Sequence, residues 1–390
     1  SLLESGCEFC GACIDACPTG ALVERDYKWE KAAKEVKTTC TNCSVGCQMV
    51  MEVNRLDKVV RMRGDMAGAA NRGQACFKGK FGYDYPNHKS RIKYPMIRVN
   101  GDLIRVTWEQ ALTTIAERIE STPKEERAVI ASPRGTNEDA YVAQKMARVA
   151  LGTNSIDSGL NRVPELNMGL YAAFGHSGAT NPIWDLEKAK CVIIVSGNPT
   201  EEQNVLAVPL KKAARDGAQI VVIDTRETEL TRYANVWLRH KPGTEVVLLG
   251  GIARVILDEA MENKDFVENH CDGLKELKQA LWTFDLARVS SECGVDTDSV
   301  RRAARAYCQG PAAIVFGVDT VLQSERSDLV NTVVNLALLT GNIGKEGGGI
   351  FPLLEGANTQ GATDVGAAPD LLPGYVDVRD PLARERLGEK

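Results

Sequence analysis

Period-two alternation gives way to helical spacing along this 390-residue chain, and each change marks an element. Gln48–Gly64, reading QMVMEVNRLDKVVRMRG, alternates on both sides of Asn54–Asp57, which predicts a hairpin turning there. Upstream, Lys28–Lys37 carries Glu30, Lys31, Lys34 and Glu35 and reads as a short solvated helix or linker. From about Val106 helices alternate with short β-branched runs. Trp108–Ser121 reads as a helix with Thr107 as N-cap, Arg127–Ser132 as a strand, and Glu138–Leu151 as a helix.

The central segment has the clearest pattern. Cys191–Ser196 is an apolar run of the buried parallel-strand type, closed by Gly197-Asn198-Pro199. Gln203–Asp216 follows as a helix and Gln219–Asp224 as the next strand, a right-handed β-α-β crossover of the doubly wound kind. Further helices are expected at Thr244–Leu257, Ser299–Cys308 and Leu329–Leu339, with a strand at Ala312–Phe316 leading into Gly317–Thr320. Thr340-Gly341-Asn342 and the run Gly347–Gly349 come next, and Leu353–Tyr375 reads as a long loop, functional or tethered. The expected class is α/β.

Composition narrows the function. A net charge of −5 and 6% aromatic residues argue against nucleic acid as a main partner. No stretch is long and apolar enough for a transmembrane helix and no leader is visible, so the expected location is the cytoplasm.

Cysteine usage decides the chemistry. Eight of the twelve cysteines fall in the first 76 residues. Cys7, Cys10, Cys13 and Cys17, with Pro18 behind them, form C-x2-C-x2-C-x3-C-P, the ferredoxin run that holds [4Fe–4S] clusters through thiolates. Cys40, Cys43, Cys47 and Cys76 offer four thiolates for a second cubane. Disulfides suit small secreted domains, and structural zinc wants a second C-x2-C pair that both groups lack. Cys191, Cys271, Cys293 and Cys308 read as small buried hydrophobes. In two-cluster ferredoxins the fourth cysteine of a run ligates the other cluster, so Cys17 points to ligands outside this chain. With Ser1 at the start, this suggests a chain that begins inside a longer ferredoxin-like module. A single-cluster site with a rearranged fourth ligand is the alternative.

The strand ends suggest a nucleotide. Gly197 admits close approach of a phosphate, and Asp224 is placed to accept hydrogen bonds from a ribose or base edge. His88, His176, His240 and His270 are scattered without paired spacing and read as bland.

Taken together, CTNCSVGC, QACFKGKFGYDY, SPRGTNEDAYVAQKMARVALGTNSID, SGNP, VIDTR, LALLTGNIGKEGGGI and ANTQGATDVGAAPDLLPGY resemble the molybdopterin oxidoreductase family. The similarity is to the large subunit of molybdenum or tungsten formate dehydrogenases and runs from about Thr38 to the C-terminus. The ferredoxin fragment resembles an extension found in NAD-linked formate dehydrogenases and in the large iron–sulfur subunit of respiratory complex I.

The resemblance implies a ferredoxin-like [4Fe–4S] fragment with linker (1–37), a small β-rich [4Fe–4S] domain (38–99), and interleaved doubly wound α/β domains of the formate dehydrogenase and dimethyl sulfoxide reductase type (100–157 plus 356–390, and 158–355). It implies that Lys78 relays electrons between cluster and pterin. It also implies that Arg134, Gly197, Asn198, Asp224, Gly341 and Asn342 lie near a molybdopterin guanine dinucleotide, with Asn358 and Gln360 in the loop beneath the metal. Where active relatives place the cysteine or selenocysteine metal ligand this chain has Val163 or Pro164, and the following histidine falls at Pro164 or Glu165. The formate-pairing arginine falls at Leu354, and the stop at Lys390 leaves out the family's C-terminal dinucleotide-binding domain.

The expectation is an iron–sulfur electron-transfer subunit without a molybdenum or tungsten site. Its expected place is a hetero-oligomer with flavin- or NAD(P)H-handling and ferredoxin-type subunits. A partial catalytic subunit of formate dehydrogenase and a non-redox nucleotide-binding scaffold are the alternatives.

Overall fold

The hairpin forms where the alternation places it, as two of three antiparallel strands. A computed structural model describes residues 7–25, 29–159, 166–317 and 326–388; Lys28, Val163, Pro164, Glu165 and Val318–Thr320 lie outside the described residues. The chain divides into two compact units, one of Ser1–Asn42, Gly46–Arg162 and Gly356–Lys390, the other of Cys43–Val45 and Val163–Glu355.

In the first unit, β1 (Lys34–Thr39), β2 (Gln48–Val53) and β3 (Val59–Gly64) form a sheet in that order. The turn closes through Asn54, whose amide N–H bonds Lys58 O at 2.9 Å and whose Oδ1 accepts from Leu56 and Lys58. The short helix or linker expected over Lys28–Lys37 is corrected at its end: from Lys34 the chain is strand, paired Lys34↔Val53 to Thr39↔Gln48. Its side chains are almost all exposed, so no apolar alternation announces it. Backbone pairing and edge ion pairs, Arg63–Glu35 and Lys34–Asp57 at 2.8 Å each, hold it instead.

Of two five-residue helices, α1 (Ala12–Ala16) contains Cys13 and α2 (Phe77–Phe81) follows its N-cap Cys76, while β4 (Met96–Val99) pairs with β5 (Asp102–Arg105). The helix α3 (Trp108–Ser121) begins at Thr107 in a capping box with Gln110, as the sequence predicts. The strand expected over Arg127–Ser132 shortens to β6 (Val129–Ile130), paired in parallel with β7 (Ile156–Asp157). The next helix splits into α4 (Asn137–Lys145) and a π-helical turn, Met146–Ala150. From that turn Arg148 donates to the carbonyls of Gly366, Ala368 and Leu371 at 2.7–2.8 Å, tying the tail down. The tail read as loop holds a short helix, Thr359–Asp364, where Gly361 and Ala362 are small enough to bury against α4 at Ala140.

The second unit is a parallel sheet of five strands: β8 (Cys191–Val195), β9 (Gln219–Ile223), β10 (Val236–Leu238), β11 (Ala312–Gly317) and β12 (Gly349–Leu353). Their order is β10-β9-β8-β11-β12, so the winding reverses between β8 and β11. All residues of β8, β11 and β12 are buried, as continuous apolar runs require when helices cover both faces. Those helices include α5 (Asn204–Arg215), α6 (Glu245–Asp258), α7 (Leu286–Cys293), α8 (Thr297–Tyr307) and α9 (Arg326–Leu339). No helix among the described residues is long and apolar enough to cross a membrane.

Candidate functional site: two thiol groups and a strand-end cleft

The ferredoxin run lies on the exterior of the first unit. Gly11, at φ +71°, turns the chain between Cys10 and Cys13 and heads α1, which buries none of its residues. Phe9 N–H donates to Cys7 Sγ at 3.4 Å. Hydrogen bonding from the Thr19 hydroxyl, then from the Leu22 N–H, pulls the Cys17 thiol down to about 7, so these donors favour a thiolate.

The second group is more enclosed. Cys40 and Cys47 close a loop between β1 and β2 through a backbone bond, Cys40 N to Cys47 O at 2.9 Å. Cys43 lies on that loop, and Asn42 donates to Cys40 Sγ at 3.3 Å. Cys76 is the N-cap residue of α2 and makes no side-chain capping bond. A Cβ on Gly79 would sit 3.2 Å from Cys40 Sγ, so the thiol comes close to the backbone of this helix. None of the eight is in a disulfide, and Cys47 and Cys76 are buried. Among the described residues no three His, Cys, Asp or Glu gather closely enough for one metal ion. A cubane takes one thiolate on each of four irons and so spreads its ligands. The all-thiol sets, their N–H donors and the Gly79 contact suit that group.

Lys78 follows on α2, half-buried, its Nζ 5.9 Å from the Phe77 ring centre. Sequence reasoning missed Lys80 on the same helix. It is 3% exposed, donates to Gly11 O at 2.9 Å and pairs with Asp15. Its spacing from Cys76, one helical turn, is the only signal the sequence holds for it.

In the second unit a cleft of about 280 Å³ opens at the carboxyl ends of β8 and β9, lined by Ser196, Asp224, Thr225, Arg226, Gly243 and Glu245. Asp224 is buried, and its Oδ1 accepts from the Arg226 N–H at 2.8 Å. Glu245, in the first turn of α6, accepts from Ser196 Oγ at 3.2 Å while its Oε2 is buried without a partner. His240 Nε2 lies 3.8 Å from Glu245. Two buried carboxylates beside a cleft, one with an unused oxygen, suit a ligand that presents N–H or O–H donors, such as a nucleotide base edge. Sequence reasoning missed Glu245 and passed over His240; Pro242-Gly243-Thr244-Glu245, between strand and helix, was the available signal.

Gly197 belongs here too. A Cβ on it would lie 2.5 Å from Leu353 Cδ1 and 3.0 Å from Gly317 N, so the ends of β8 and β11 meet backbone to backbone. Asn198 is buried at the N-cap position of the turn after it, makes no side-chain capping bond, and accepts from Thr200 Oγ1 at 2.7 Å. Gly341 and Asn342 do not join this cleft. Asn342 Oδ1 accepts from the Ala312 N–H at 3.0 Å and its carbonyl from the Gly349 N–H at 2.7 Å, which fixes it at the amino ends of β11 and β12. That is the end of the sheet opposite Asp224, about 16 Å away at strand rise.

In the first unit Asn358 donates to Gly135 O at 3.1 Å and to Asn137 Oδ1 at 2.9 Å, beside Arg134; Gln360 is exposed. Leu354, where the resemblance expects arginine, is 8% exposed and packs in the apolar core of the second unit.

A switched parallel sheet with a strand-end cleft, behind a small β domain and a ferredoxin-type run, defines an iron–sulfur protein of the α/β oxidoreductase class. Comparison makes the family explicit: residues 91–380 match molybdopterin oxidoreductase, 33–88 its Fe4S4 domain, and 3–23 a 4Fe-4S binding domain. The chain belongs to the molybdopterin oxidoreductase family.

It is 36% identical over 349 residues to the F420-dependent formate dehydrogenase subunit alpha of Methanocaldococcus jannaschii, covering 89% of this chain and 52% of that one. It is 35% identical over 371 residues to formate dehydrogenase H of Escherichia coli, 91% and 51%. With the NADPH-Fe(3+) oxidoreductase subunit alpha of Geobacter sulfurreducens it shares 32% over 381 residues, 95% and 44%. The chain thus spans about half the length of these relatives. The acetylene hydratase of Pelobacter acetylenicus has the same fold, with a TM-score of 0.68, 24% identity, and 82% and 45% of the two chains covered.

Proposed function

We propose that this chain is an iron–sulfur electron-transfer subunit of a multi-subunit oxidoreductase, like formate dehydrogenase in sequence but without a working molybdenum or tungsten site. Cys7, Cys10, Cys13 and Cys17 hold one [4Fe–4S] cluster, in part with ligands from elsewhere, and Cys40, Cys43, Cys47 and Cys76 hold another. The clusters supply one-electron chemistry. The chain's residues fix the thiolates, donate N–H groups to their sulfurs and exclude water around Cys47 and Cys76. Lys78, two residues past Cys76, is the group through which we expect that cluster to reach a neighbouring acceptor. The α/β body serves as scaffold for flavin- or NAD(P)H-handling and ferredoxin-type partners, a reading supported by relatives named as alpha subunits.

Two observations support the loss of the catalytic metal: no cysteine stands between Cys76 and Cys191, and Leu354 offers a buried apolar side chain where a formate carboxylate needs a cation. A second reading, a catalytic formate dehydrogenase subunit, draws support from relatives of that name at 35–36% identity and from the cleft at Asp224 and Glu245.

Elemental analysis of the purified native complex, with assay of released pterin, separates the two. The expected result is about eight iron atoms per chain beyond those its partners carry, and neither molybdenum, tungsten nor pterin. Stoichiometric molybdenum or tungsten with pterin would overturn the electron-carrier reading, and a guanine nucleotide without metal would select a nucleotide-binding scaffold. Cys43→Ala is expected to remove about half of the iron; full retention would exclude the second group as a cluster site.

A further inference from the structure

An ammonium group is costly to bury and stays buried where specific partners hold it. Lys80 is 3% exposed, and its ammonium bonds two groups of the ferredoxin run, more than 60 residues earlier in the chain: Gly11 O at 2.9 Å and the carboxylate of Asp15. Gly11 lies between Cys10 and Cys13. A Cβ there would come within 2.6 Å of Phe81 Cζ and 2.9 Å of Lys80 Cδ, so the thiol-bearing loop is pressed directly onto the end of α2. The other end of α2 is Cys76, and Lys80 N–H bonds the Cys76 carbonyl at 3.0 Å. Cys76 and the Cys10–Cys13 loop are therefore held at the two ends of one helical turn, about 6 Å of rise.

We propose that Lys80, with Phe81 against Gly11, is a positioning residue that fixes the separation between the two cysteine groups and so sets how strongly clusters in them sense each other. This role differs from that of Lys78, and it rests on the reading that both groups hold [4Fe–4S] clusters. Lys80 also brings a positive charge beside the loop of the first group. Its removal disfavours the reduced, more negative state there.

The test is paramagnetic resonance of the native complex after full chemical reduction, with iron content and the midpoint potential of each cluster measured alongside. In the wild type the spectrum should show spin–spin coupling between two reduced clusters. Lys80→Met is expected to keep the iron, lose the coupling and move the midpoint of the first cluster to a more negative value, and Lys80→Arg to restore both. Should Lys80→Met shed iron from the first group, Asp15→Asn decides, because it weakens the grip without changing side-chain size. Full coupling in Asp15→Asn, or full coupling and an unshifted midpoint in an iron-replete Lys80→Met, would overturn the proposal. Wild type with only about four iron atoms per chain would instead remove the two-cluster reading beneath it.

Discussion

Glu24 shows how closely the N-terminal segment is tied to the hairpin. Its side chain is 13% exposed and lies 3.7 Å from the Arg61 guanidinium. Burial pushes its carboxyl above the usual 4.5, while Arg61 and then Lys80 pull the other way. An acid raised in the folded state binds more protons there than in the unfolded chain. Its contribution is fully present below 4.5 and is lost as pH rises through the raised value. Protection of the 7–25 backbone, corrected for intrinsic exchange, is therefore expected to be lower at about pH 7.5 than at about pH 4.5. Glu24→Gln should flatten that dependence; a wild-type segment equally protected at both values would remove Glu24 as its cause. Spacing singles out seven of the eight cysteines because their pattern is local, whereas Cys76 stands 29 residues past Cys47. Lys80 escaped because its partners are far along the chain, and the placement of Asn342, which rests on the resemblance alone, carries no sign that its Oδ1 accepts from the Ala312 N–H.

At the scale of elements, α6 shows packing overriding helix propensity. Gly250 and Gly251 sit in its interior, where glycine costs about 1 kcal/mol relative to alanine. A Cβ on Gly250 would lie 2.7 Å from Phe284, and one on Gly251 would lie 2.9 Å from both γ-carbons of Val289, which is fully buried on α7. The glycines let the neighbouring helical layer come close, and a branched, enclosed valine has little room to yield. Gly251→Val is therefore expected to lose about 2 kcal/mol in denaturant unfolding despite removing a glycine, and a neutral or stabilising result would mean that α7 shifts freely. Regular elements such as β8, β9 and α3 were legible because each states its period and its stops. The strand β1 was not, because a polar edge strand is specified by its partner's backbone. The tail turns helical at Thr359–Asp364 for a similar reason: Ala362 and Gly361 are chosen by the surface they meet.

Across the whole molecule the two units draw stability from different sources. In the second, β8, β11 and β12 are wholly buried between helical layers, enough apolar surface to fold on packing alone. The N-terminal part of the first has little such surface. The helix α1 buries nothing, Cys7 and Cys13 are exposed, and β1 is almost wholly exposed. Where a segment lacks a core, the free energy of metal binding is in effect its folding free energy. Stripping iron with a chelator under reducing conditions is therefore expected to abolish exchange protection over residues 7–25 and across β1, the Cys40–Cys47 loop and α2. Protection of β8, β9 and β11 should stay within about twofold of the holo protein. Calorimetry should then show a main transition surviving chelation and a smaller one that disappears with the iron. Loss of protection in β8 on chelation would mean that the parallel sheet depends on the clusters, and unchanged protection in α2 would mean that Lys80 and its ion pairs hold that segment without them.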